Sequence, residues 1–492
     1  MNITNKIEIK YNLKIYISLF ILLLFLRSYH SFFGLSVGEH DWTFLLVGQS
    51  LYNGNLPFIE IWNMSGPFVF IFYAIPFYFT NYLIALKFLG IISIWIACVA
   101  SYHTSKKIFG RKAGLFASFG LALIASSEES FLTSEVEIFI IPFLSCFIFF
   151  LFSNFSNPKI SNLIFAAICI SLATLMRPSL GLIAFFSIFI ILFSKKEKIS
   201  KIIVYILSGL TPLLITIILY SKVPDGLEIL WRSTIEAHLA YPAGRPFLLG
   251  FFQFADNFSI KQWYPLFIFA TLMTFVNKKS LKELIVLAIF LFLIVFSFCL
   301  TRKFSDYYVL LTFPLLTIMA SSFLDEELNY SKTLLFIFTA FCYFAPFLNN
   351  ITEQIKLNYR PLNNTLILYK ALDKTIKKEN SLFSLDNGLY LLFNKPVPSK
   401  IAHPSNMFKH YSLGAYYGKK GFSVEDELSP ILQNKPDYIV MLSKWTSRLP
   451  NKIKQQINDE YKIYTFVSSD ELKRMKRSNR EYIESVILYK RN

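Results

Sequence analysis

Charged side chains are scarce in this sequence. Asp, Glu, Lys and Arg together make up 16% of the 492 residues, whereas hydrophobic residues make up 54% and phenylalanine alone occurs 53 times. The mean hydropathy is +0.47. Apolar runs of about 18 or more residues with few charges are typical of transmembrane helices, and such runs recur as far as residue 350. The composition excludes a wholly soluble protein and predicts an all-α polytopic membrane protein.

Cysteine is also scarce, and its five copies form no motif. All five lie in apolar segments, without a close pair or the spacing of a metal site. Such cysteines usually act as small buried hydrophobic side chains. The region from residue 350 onward has no cysteine, so its fold does not depend on disulfide bonds. That region also lacks GxGxxG and GxxxxGKS/T, which excludes these two nucleotide-binding loops.

Positive charge is in excess, and the formal net charge is +17. Lysine and arginine cluster in short loops between apolar runs and near the C-terminus, as in membrane-surface proteins, so nucleic acid is not needed as a partner. Because positive loops face the cytoplasm, these clusters place the N-terminus inside and predict about eleven spans. The predicted spans are residues 15–33, 82–103, 113–126, 138–154, 162–176, 180–194, 202–220, 264–276, 284–300, 309–323 and 333–348.

The composition changes near residue 350. Residues 1–349 are predicted to form a transmembrane domain and residues 350–492 a small α/β soluble domain on the outer face. In the second region, strand-like runs such as SLFSLDNGLYLLF and PDYIVML alternate with polar stretches that favour helices. The Glu-Arg-Lys-rich end also favours a helix. Within the first region, residues 221–263 are predicted to be a long polar outer loop. Residues 66–80, interrupted by two prolines, are predicted to be a re-entrant or interfacial segment, or the start of a long tilted helix.

Residues 38–67 follow the first span and form the predicted first outer loop, which contains Glu39, His40, Asp41 and Glu60. Acidic groups are costly at membrane depth, so an acidic cluster at a membrane edge indicates a functional site. Asp41 is the candidate catalytic carboxylate, a general base that removes a proton from an acceptor hydroxyl. A helix N-cap or an interfacial anchor is its alternative role. The other three residues are candidates for positioning the loop or the acceptor.

Four short motifs lie in this loop: HDW at 40–42, SLYNG at 50–54, LPFIE at 56–60 and SGPF at 65–68. With them the loop resembles the first outer loop of bacterial GT-C glycosyltransferases, the relatives of protein O-mannosyltransferases and aminoarabinose transferases. In that family an acidic residue follows the first span. A stretch that contains Gly, then Pro-Tyr and then an acidic residue comes next, and a Gly-Pro or Pro-Pro pair begins the following helix. The resemblance implies transfer of a sugar from a polyprenyl-phosphate-linked donor, with inversion at the anomeric carbon.

The loop departs from the family pattern at several positions. Phe58 stands where Tyr is usual, Glu60 where Asp is usual, and Ser65 where a Lys often precedes the Gly-Pro pair. Asp41 matches either the first or the second acidic position of the family, because His40 can occupy the other. The assignment of the base therefore depends on a register of one residue.

A second acidic loop, SSEESFLTSEVE, lies between the third and fourth spans. The resemblance places a second acidic motif of the family in this loop. Glu135 and Glu137 could hold a divalent metal or orient the acceptor, since hard oxygen ligands suit Mg²⁺ or Mn²⁺. An ordinary solvated loop is the alternative.

Arg177 lies at a short outer turn between two apolar segments, where a lone arginine needs a partner or water. We interpret it as a cation for the donor phosphate, to which a guanidinium offers two contacts; a snorkelling interfacial anchor is the alternative. Arg302 and Lys303 are the second candidate set. Residues 301–308 resemble the basic and aromatic segment of the family, but Asp306 stands where His is usual, so a role for that His does not carry over.

These features predict an integral multi-pass enzyme of the bacterial inner membrane. Its predicted partners are a polyprenyl-phosphate-linked sugar donor, a glycan, lipid or protein acceptor, and membrane lipids. The sequence identifies no definite cofactor, and Mg²⁺ or Mn²⁺ is the candidate metal. The alternatives are an O-antigen-type polymerase, which would carry its basic residues in two large outer loops, and a multi-span lipid or polysaccharide transporter, which would favour charges within spans and inverted repeats.

Overall fold

The computed structural model describes residues 3–28, 37–127, 129–132, 134–192, 198–240, 246–260, 263–302, 305–325, 332–356, 364–401, 403–408, 410–467 and 486–491. The chain forms two compact units, and each is built from three separate stretches of sequence. The first unit comprises Met1–Phe32, Lys87–Leu219 and Gly244–Thr352; the second comprises Phe33–Leu86, Tyr220–Ala243 and Glu353–Asn492. The division predicted at residue 350 stays a prediction.

Long apolar helices make up most of the first unit, whereas the short apolar helix Pro67–Tyr78 belongs to the second. Six helical segments are long and apolar enough to cross a membrane, and five further apolar helices have 10–17 residues, counting only the part of the chain that is described. The predicted total of about eleven spans stays a prediction. The six long segments are Glu8–Ser28, Tyr82–Phe109, Val136–Ser156, Ile199–Tyr220, Leu281–Leu300 and Tyr307–Leu324, and the shorter ones are Pro67–Tyr78, Ile160–Met176, Pro178–Leu192, Tyr264–Val276 and Leu335–Leu348.

The helices of this unit begin and end close to the polar residues between the predicted spans. The α-helices that lie wholly or mostly in the first unit are Ile3–Ser28, Tyr82–Phe109, Arg111–Ile124, Glu129–Leu132, Val136–Ser156, Ile160–Met176, Gly181–Leu192, Lys198–Tyr220, Leu249–Ile260, Tyr264–Val276, Leu281–Thr301, Phe313–Ser321 and Lys332–Lys356, with 3-10 turns at Pro178–Leu180, Asp306–Thr312 and Ser322–Leu324.

The proline-interrupted segment 66–80 is a short broken helix and is not the start of a long one. A 3-10 turn at Pro67–Val69 leads into the α-helix Phe70–Ala74 and a second 3-10 turn at Ile75–Tyr78. Each proline stands at the beginning of a 3-10 turn, where its missing N–H is tolerated. The backbone is then extended at Phe79, before the next long helix begins at Tyr82.

The stretch predicted to be a long polar outer loop, residues 221–263, is partly helical, and its place as a loop between spans stays a prediction. It contains the α-helices Gly226–Trp231, Ala237–Ala240 and Leu249–Ile260, with a π-helical turn at Arg232–Glu236. These helices are short and carry mixed polar and aromatic residues, so no run of apolar residues marks them in the sequence.

The second unit combines short helices with a four-stranded mixed sheet. Strands β1 (Leu382–Ser384), β2 (Tyr438–Leu442), β3 (Tyr461–Val467) and β4 (Val486–Arg491) lie in the order β1-β2-β4-β3. The pair β1–β2 is parallel, and the pairs β2–β4 and β3–β4 are antiparallel. The α-helices of this unit are Glu39–Tyr52, Phe70–Ala74, Gly226–Trp231, Ala237–Ala240, Asn364–Leu372, Gly388–Leu392, Pro404–Met407, His410–Tyr417, Val424–Gln433, Ser443–Thr446 and Asn451–Glu460.

The α/β character predicted for the C-terminal region agrees with this sheet, but some details differ. The run SLFSLDNGLYLLF forms a strand of only three residues, followed by the helix Gly388–Leu392. The run PDYIVML contains β2, and the polar stretch after it forms the helix Asn451–Glu460 with Ile453 and Ile457 on its buried face. The helix expected in the Glu-Arg-Lys-rich end falls largely on residues 468–485, outside the described residues.

Candidate active site

The helix Glu39–Tyr52, called here the first-loop helix, places Asp41 in its first turn. Gly38 is its N-cap residue, and the Gly38 backbone N–H donates a hydrogen bond of 3.1 Å to Asp41 Oδ2. This is the return half of a capping box, and a carboxylate at a helix N-terminus is also favoured by the helix dipole. The Asp41 side chain is fully buried. Asp41 therefore stabilises the start of the helix. This resembles the N-cap role considered as an alternative, although Gly38 is the N-cap residue.

His40 lies beside Asp41 in the same turn, and its ring contacts a histidine far away in sequence. The imidazoles of His40 and His403 stack with centroids 4.5 Å apart and an interplanar angle of 20°. His403 is buried, and the His40 ring also stacks on Phe44 at 6.4 Å. No local pattern indicates His403 as a partner, because it lies about 360 positions after His40. The predicted site residue Glu39 is the first residue of the helix; its side chain lies outside the described part.

The next two residues of the first-loop helix pack tightly within the second unit. Asn387 donates a hydrogen bond of 2.9 Å from Nδ2 to Thr43 Oγ1. A Cβ atom on Gly388 would lie 2.7 Å from the buried Trp42 ring, so glycine is required for this close approach. The C-terminal region therefore helps to fix the turn that carries Asp41.

Glu60 lies on the exposed side of the loop, and its carboxylate is tied to the first-loop helix. The Ser50 hydroxyl donates a hydrogen bond of 2.9 Å to Glu60 Oε2. Phe58, two residues earlier, is fully buried and has a φ of 73°. A bulky L-residue rarely adopts this left-handed conformation. The structure thus attaches Glu60 to the last turns of the first-loop helix, whereas Asp41 lies in its first turn, and it holds the turn at Phe58 in an unusual conformation.

The helix His410–Tyr417 carries two neighbouring tyrosines, of which Tyr416 contacts this loop and Tyr417 contacts Glu427. Burial raises the pKa of Tyr416 to about 12, with a smaller contribution from Glu427. Burial, followed by the Glu427 charge, also raises the pKa of Tyr417. Both phenols are therefore protonated near neutral pH and act as hydrogen-bond donors.

In the first unit, Arg177 and Glu137 form a buried ion pair. Arg177 Nη1 lies 2.5 Å from Glu137 Oε1, and the exposed fractions of the two side chains are 10% and 3%. The guanidinium also lies over the Tyr308 ring, 3.7 Å from its centroid. Arg177 ends the helix Ile160–Met176, whereas Glu137 lies in the first turn of Val136–Ser156. The structure thus joins a predicted donor-phosphate residue to a residue of the second acidic loop.

The alternative of an ordinary solvated loop is wrong for Glu135 and Glu137. Both are buried, with exposed fractions of 6% and 2%. Glu135 is the N-cap residue of the helix that contains Glu137, so both carboxylates lie at a helix N-terminus, where negative charge is favoured.

The residues do not form a recognisable metal site. Within the described ranges, no group of three or more His, Cys, Asp or Glu side chains could hold a metal ion. Glu137 Oε1 is engaged by Arg177, so a cation would have to compete with a guanidinium for this oxygen. We derive no chemical step through Mg²⁺ or Mn²⁺.

Arg302 follows the helix Leu281–Thr301 as its C-cap residue and has a left-handed backbone with a φ of 47°. Its side chain is half-buried. Lys303 lies outside the described residues. Arg302 therefore remains at a helix end, as the sequence indicated.

Arg27 and Lys87 are buried basic residues that were not predicted from the sequence. Arg27 is buried, and its Nη1 and Nη2 donate hydrogen bonds of 2.7 Å and 2.6 Å to the carbonyls of Ala125 and Phe131. Ala125 lies immediately before the second acidic loop, and Phe131 lies within it. The signal was present, because an arginine within an apolar span needs an internal partner.

Comparisons with known proteins cover nearly the whole chain by structure and part of it by sequence. Residues 66–220 match the family model for dolichyl-phosphate-mannose-protein mannosyltransferases. By sequence, no curated protein matches. The structure is similar to ArnT from Cupriavidus metallidurans bound to undecaprenyl phosphate, with a TM-score of 0.59, 11% identity, and coverage of 96% of this chain and 97% of ArnT. The apo state of that ArnT gives a TM-score of 0.60 at 11% identity, with the same coverage.

A second solved structure is similar over most of this chain but over a smaller share of its own length. This is the archaeal oligosaccharyltransferase AglB from Archaeoglobus fulgidus, in complex with an inhibitory peptide and a dolichol-phosphate. Its TM-score is 0.51 at 12% identity, over 94% of this chain and 73% of AglB. With its apolar helices, the chain is an integral membrane protein. It has the fold of the GT-C membrane glycosyltransferases, which confirms the resemblance predicted from residues 38–67.

Proposed function

We propose that this protein is a membrane glycosyltransferase that moves a sugar from a polyprenyl-phosphate-linked donor to a glycan, lipid or protein acceptor. The observation that supports it most is the similarity in fold to ArnT over 96% of the chain, in a structure that holds undecaprenyl phosphate. The AglB structure holds a dolichol-phosphate, a carrier of the same chemical class. The acidic first turn of the first-loop helix supplies a group suited to the reaction.

Asp41 is the proposed base. In the reaction, the acceptor hydroxyl gives its proton to the Asp41 carboxylate while its oxygen forms a bond to the anomeric carbon of the sugar. The bond between this carbon and the phosphate oxygen breaks, and polyprenyl phosphate leaves. General-base catalysis of this kind contributes a factor of roughly 10²–10⁴ to the rate. Glu39, His40 and Glu60 are the proposed positioning residues around it.

Arg177, Arg302 and Lys303 are the proposed cations for the donor phosphate. Arg177 is already paired with Glu137 at 2.5 Å. A phosphate would therefore have to share the guanidinium with this carboxylate or displace it. Because a guanidinium has five N–H donors in a planar fork, it can hold two acceptors at once.

The proposed location is the bacterial inner membrane, with the N-terminus in the cytoplasm and residues 350–492 on the outer face. The support for this orientation is the lysine bias of the loops. The donor would then enter from the outer leaflet, and the acceptor would meet Asp41 on the outer side.

Incubation of the purified protein with a panel of polyprenyl-phosphate sugars tests the proposal. We expect free polyprenyl phosphate to appear with one member of the panel when an acceptor extract from the membrane is added. Parallel reactions with a chelator test the need for Mg²⁺ or Mn²⁺. Elongation of a lipid-linked glycan into a polymer would support the polymerase instead, and movement of the intact lipid-linked sugar between leaflets would support the transporter.

A further inference from the structure

The turn between the first-loop helix and Trp62 has an unfavourable backbone at its centre. Phe58 has a φ of 73° and a fully buried side chain. Its N–H donates a hydrogen bond of 3.1 Å to the Ile61 carbonyl, which closes the turn around Glu60. A bulky residue keeps a left-handed conformation only where the surrounding structure enforces it. The contacts that enforce it therefore decide where Glu60 lies.

Two buried phenols hold this turn through neighbouring carbonyls. Tyr220 donates a hydrogen bond of 2.8 Å to the Pro57 carbonyl, and Tyr416 donates one of 3.0 Å to the Phe58 carbonyl. The two tyrosines come from distant parts of the chain but lie in the same compact unit as the turn. Buried carbonyls need such partners, because an unsatisfied polar group in the interior is costly.

The end of the turn is held by the C-terminal region as well. The Trp62 N–H donates a hydrogen bond of 2.6 Å to the Lys400 carbonyl, and Trp62 pairs with Ile401 as an isolated parallel β-bridge. The Trp62 ring stacks on Tyr416, with centroids 4.8 Å apart and an interplanar angle of 27°. Tyr416 thus contacts the turn twice, through its hydroxyl and through its ring.

From these contacts we infer that Tyr416 is a positioning residue for the acceptor: its hydroxyl fixes the Phe58 turn and so places Glu60. This inference rests on the proposed function, in which Glu60 positions the acceptor or the loop. The inference also assigns a function to the C-terminal region. Its residues Lys400, Ile401 and Tyr416 hold the turn of the first outer loop, which the resemblance predicts to be catalytic.

The substitution Tyr416→Phe tests this role, because it removes only the hydroxyl and keeps the ring on Trp62. The matched control is Tyr417→Phe in the same helix, whose hydroxyl donates to Glu427 at 2.5 Å and not to the turn. We expect Tyr416→Phe to lower kcat/KM for the acceptor about 2- to 10-fold, the effect of one neutral hydrogen bond. The KM for the lipid-linked donor should stay unchanged, and Tyr417→Phe should change neither constant.

Hydrogen exchange supplies a readout that does not depend on activity. The Phe58 N–H donates to Ile61 within the turn, and the Trp62 N–H donates to Lys400 at its end. Both should exchange about 2- to 10-fold faster in Tyr416→Phe and at the wild-type rate in Tyr417→Phe. Equal behaviour of the two variants in exchange and in acceptor kinetics would overturn the inference. Absence of transfer by the wild-type protein with every donor would contradict the proposed function alone. Faster exchange in Tyr416→Phe would then still support fixation of the turn, and unchanged exchange would overturn it.

Discussion

At the scale of single residues, Asp41 combines a structural contact with a proposed chemical one. Its carboxylate accepts the Gly38 N–H at the start of the first-loop helix. An asparagine can keep this hydrogen bond through its side-chain oxygen but cannot accept a proton from the acceptor. We therefore expect Asp41→Asn to lower kcat by roughly 10²–10⁴-fold with little loss of stability or donor binding. Steady-state kinetics, donor titration and thermal unfolding measure the three quantities.

The control for this prediction is Glu60→Gln. Glu60 is exposed and accepts a hydrogen bond from Ser50, which glutamine can also accept through its oxygen. Its effect on kcat should be milder. Near-normal turnover of Asp41→Asn, together with an inactive Glu39→Gln or Glu60→Gln, would show that the base lies elsewhere in the loop.

The pair Arg177–Glu137 gives a second prediction at this scale. Removal of one partner of a buried ion pair leaves an uncompensated charge, so Arg177→Gln should destabilise the protein by about 3–5 kcal/mol. The double variant Arg177→Gln/Glu137→Gln has no such charge and should recover part of this loss. If Arg177 binds the donor phosphate, both variants should bind the donor more weakly by about 1.5–3 kcal/mol.

Thermal unfolding and donor titration separate the two functions of Arg177. Recovery of stability in the double variant without recovery of donor binding is the expected pattern. Unchanged donor affinity in both variants would leave Arg177 with the structural ion pair alone.

A functional residue could be predicted from the sequence only where its immediate neighbours mark it as unusual. Asp41 and Arg177 stand out because each is a charge at the edge of an apolar run. The partners of these residues are not local: Glu137 is 40 positions from Arg177, and His403 lies in a region that sequence alone could not bring to the first loop. Arg27 had a local signal that was not used.

At the scale of secondary-structure elements, the first-loop helix packs closely against the broken helix that follows it. A Cβ atom on Gly48 would lie 2.4 Å from the Tyr73 backbone. Because a backbone cannot move aside as a side chain can, Gly48→Ala should destabilise the protein by about 1–3 kcal/mol, as overpacking usually does.

Gly209→Ala is the matched control for this clash. Gly209 also lies within a helix, but its added Cβ would meet nothing closer than 3.7 Å. Alanine there should leave stability unchanged or raise it by about 0.5–1 kcal/mol, through helix propensity. Thermal unfolding of the two variants in the same detergent compares them, and equal stabilities would contradict the close packing at Gly48.

Elements were predictable where one physical signal dominates. Long apolar runs indicated the helices, since a continuous hydrophobic segment has few other stable forms in a membrane. The short helices of residues 221–263 were missed because their polar and aromatic residues follow no period. The strand β1 was overestimated because a second apolar run, which forms the helix Gly388–Leu392, follows it after Asp386 and Asn387. Periodicity cannot distinguish a strand from a helix in runs this short.

At the scale of the whole molecule, the lysine bias predicts the orientation in the membrane. Short loops rich in lysine remain in the cytoplasm, and this rule places residues 350–492 on the outer face. A reporter fused after residue 492 should therefore be active only if it is a type that functions on the outer face. A phosphatase fusion that is active there, and a fluorescent fusion that is dark, are the expected results. The opposite pattern would place residues 350–492 in the cytoplasm and would contradict the outer location of Asp41.

The assembly of the second unit could not be predicted from the sequence. Its three stretches are joined by contacts such as the hydrogen bond between Thr43 and Asn387, which are 344 positions apart. Neither composition nor periodicity reports such a pairing. The resemblance of residues 38–67 predicted the fold only because the fold of the resembled family is known for whole chains.

Sugar transfer by the purified protein tests the central claim most directly. With a polyprenyl-phosphate sugar labelled in the sugar and an acceptor from the same membrane, wild-type protein should release one polyprenyl phosphate for each labelled sugar attached to the acceptor. Asp41→Asn should reduce both products by the same factor, roughly 10²–10⁴. No labelled acceptor with any lipid-linked donor, from protein that is folded and binds polyprenyl phosphate, would contradict the account.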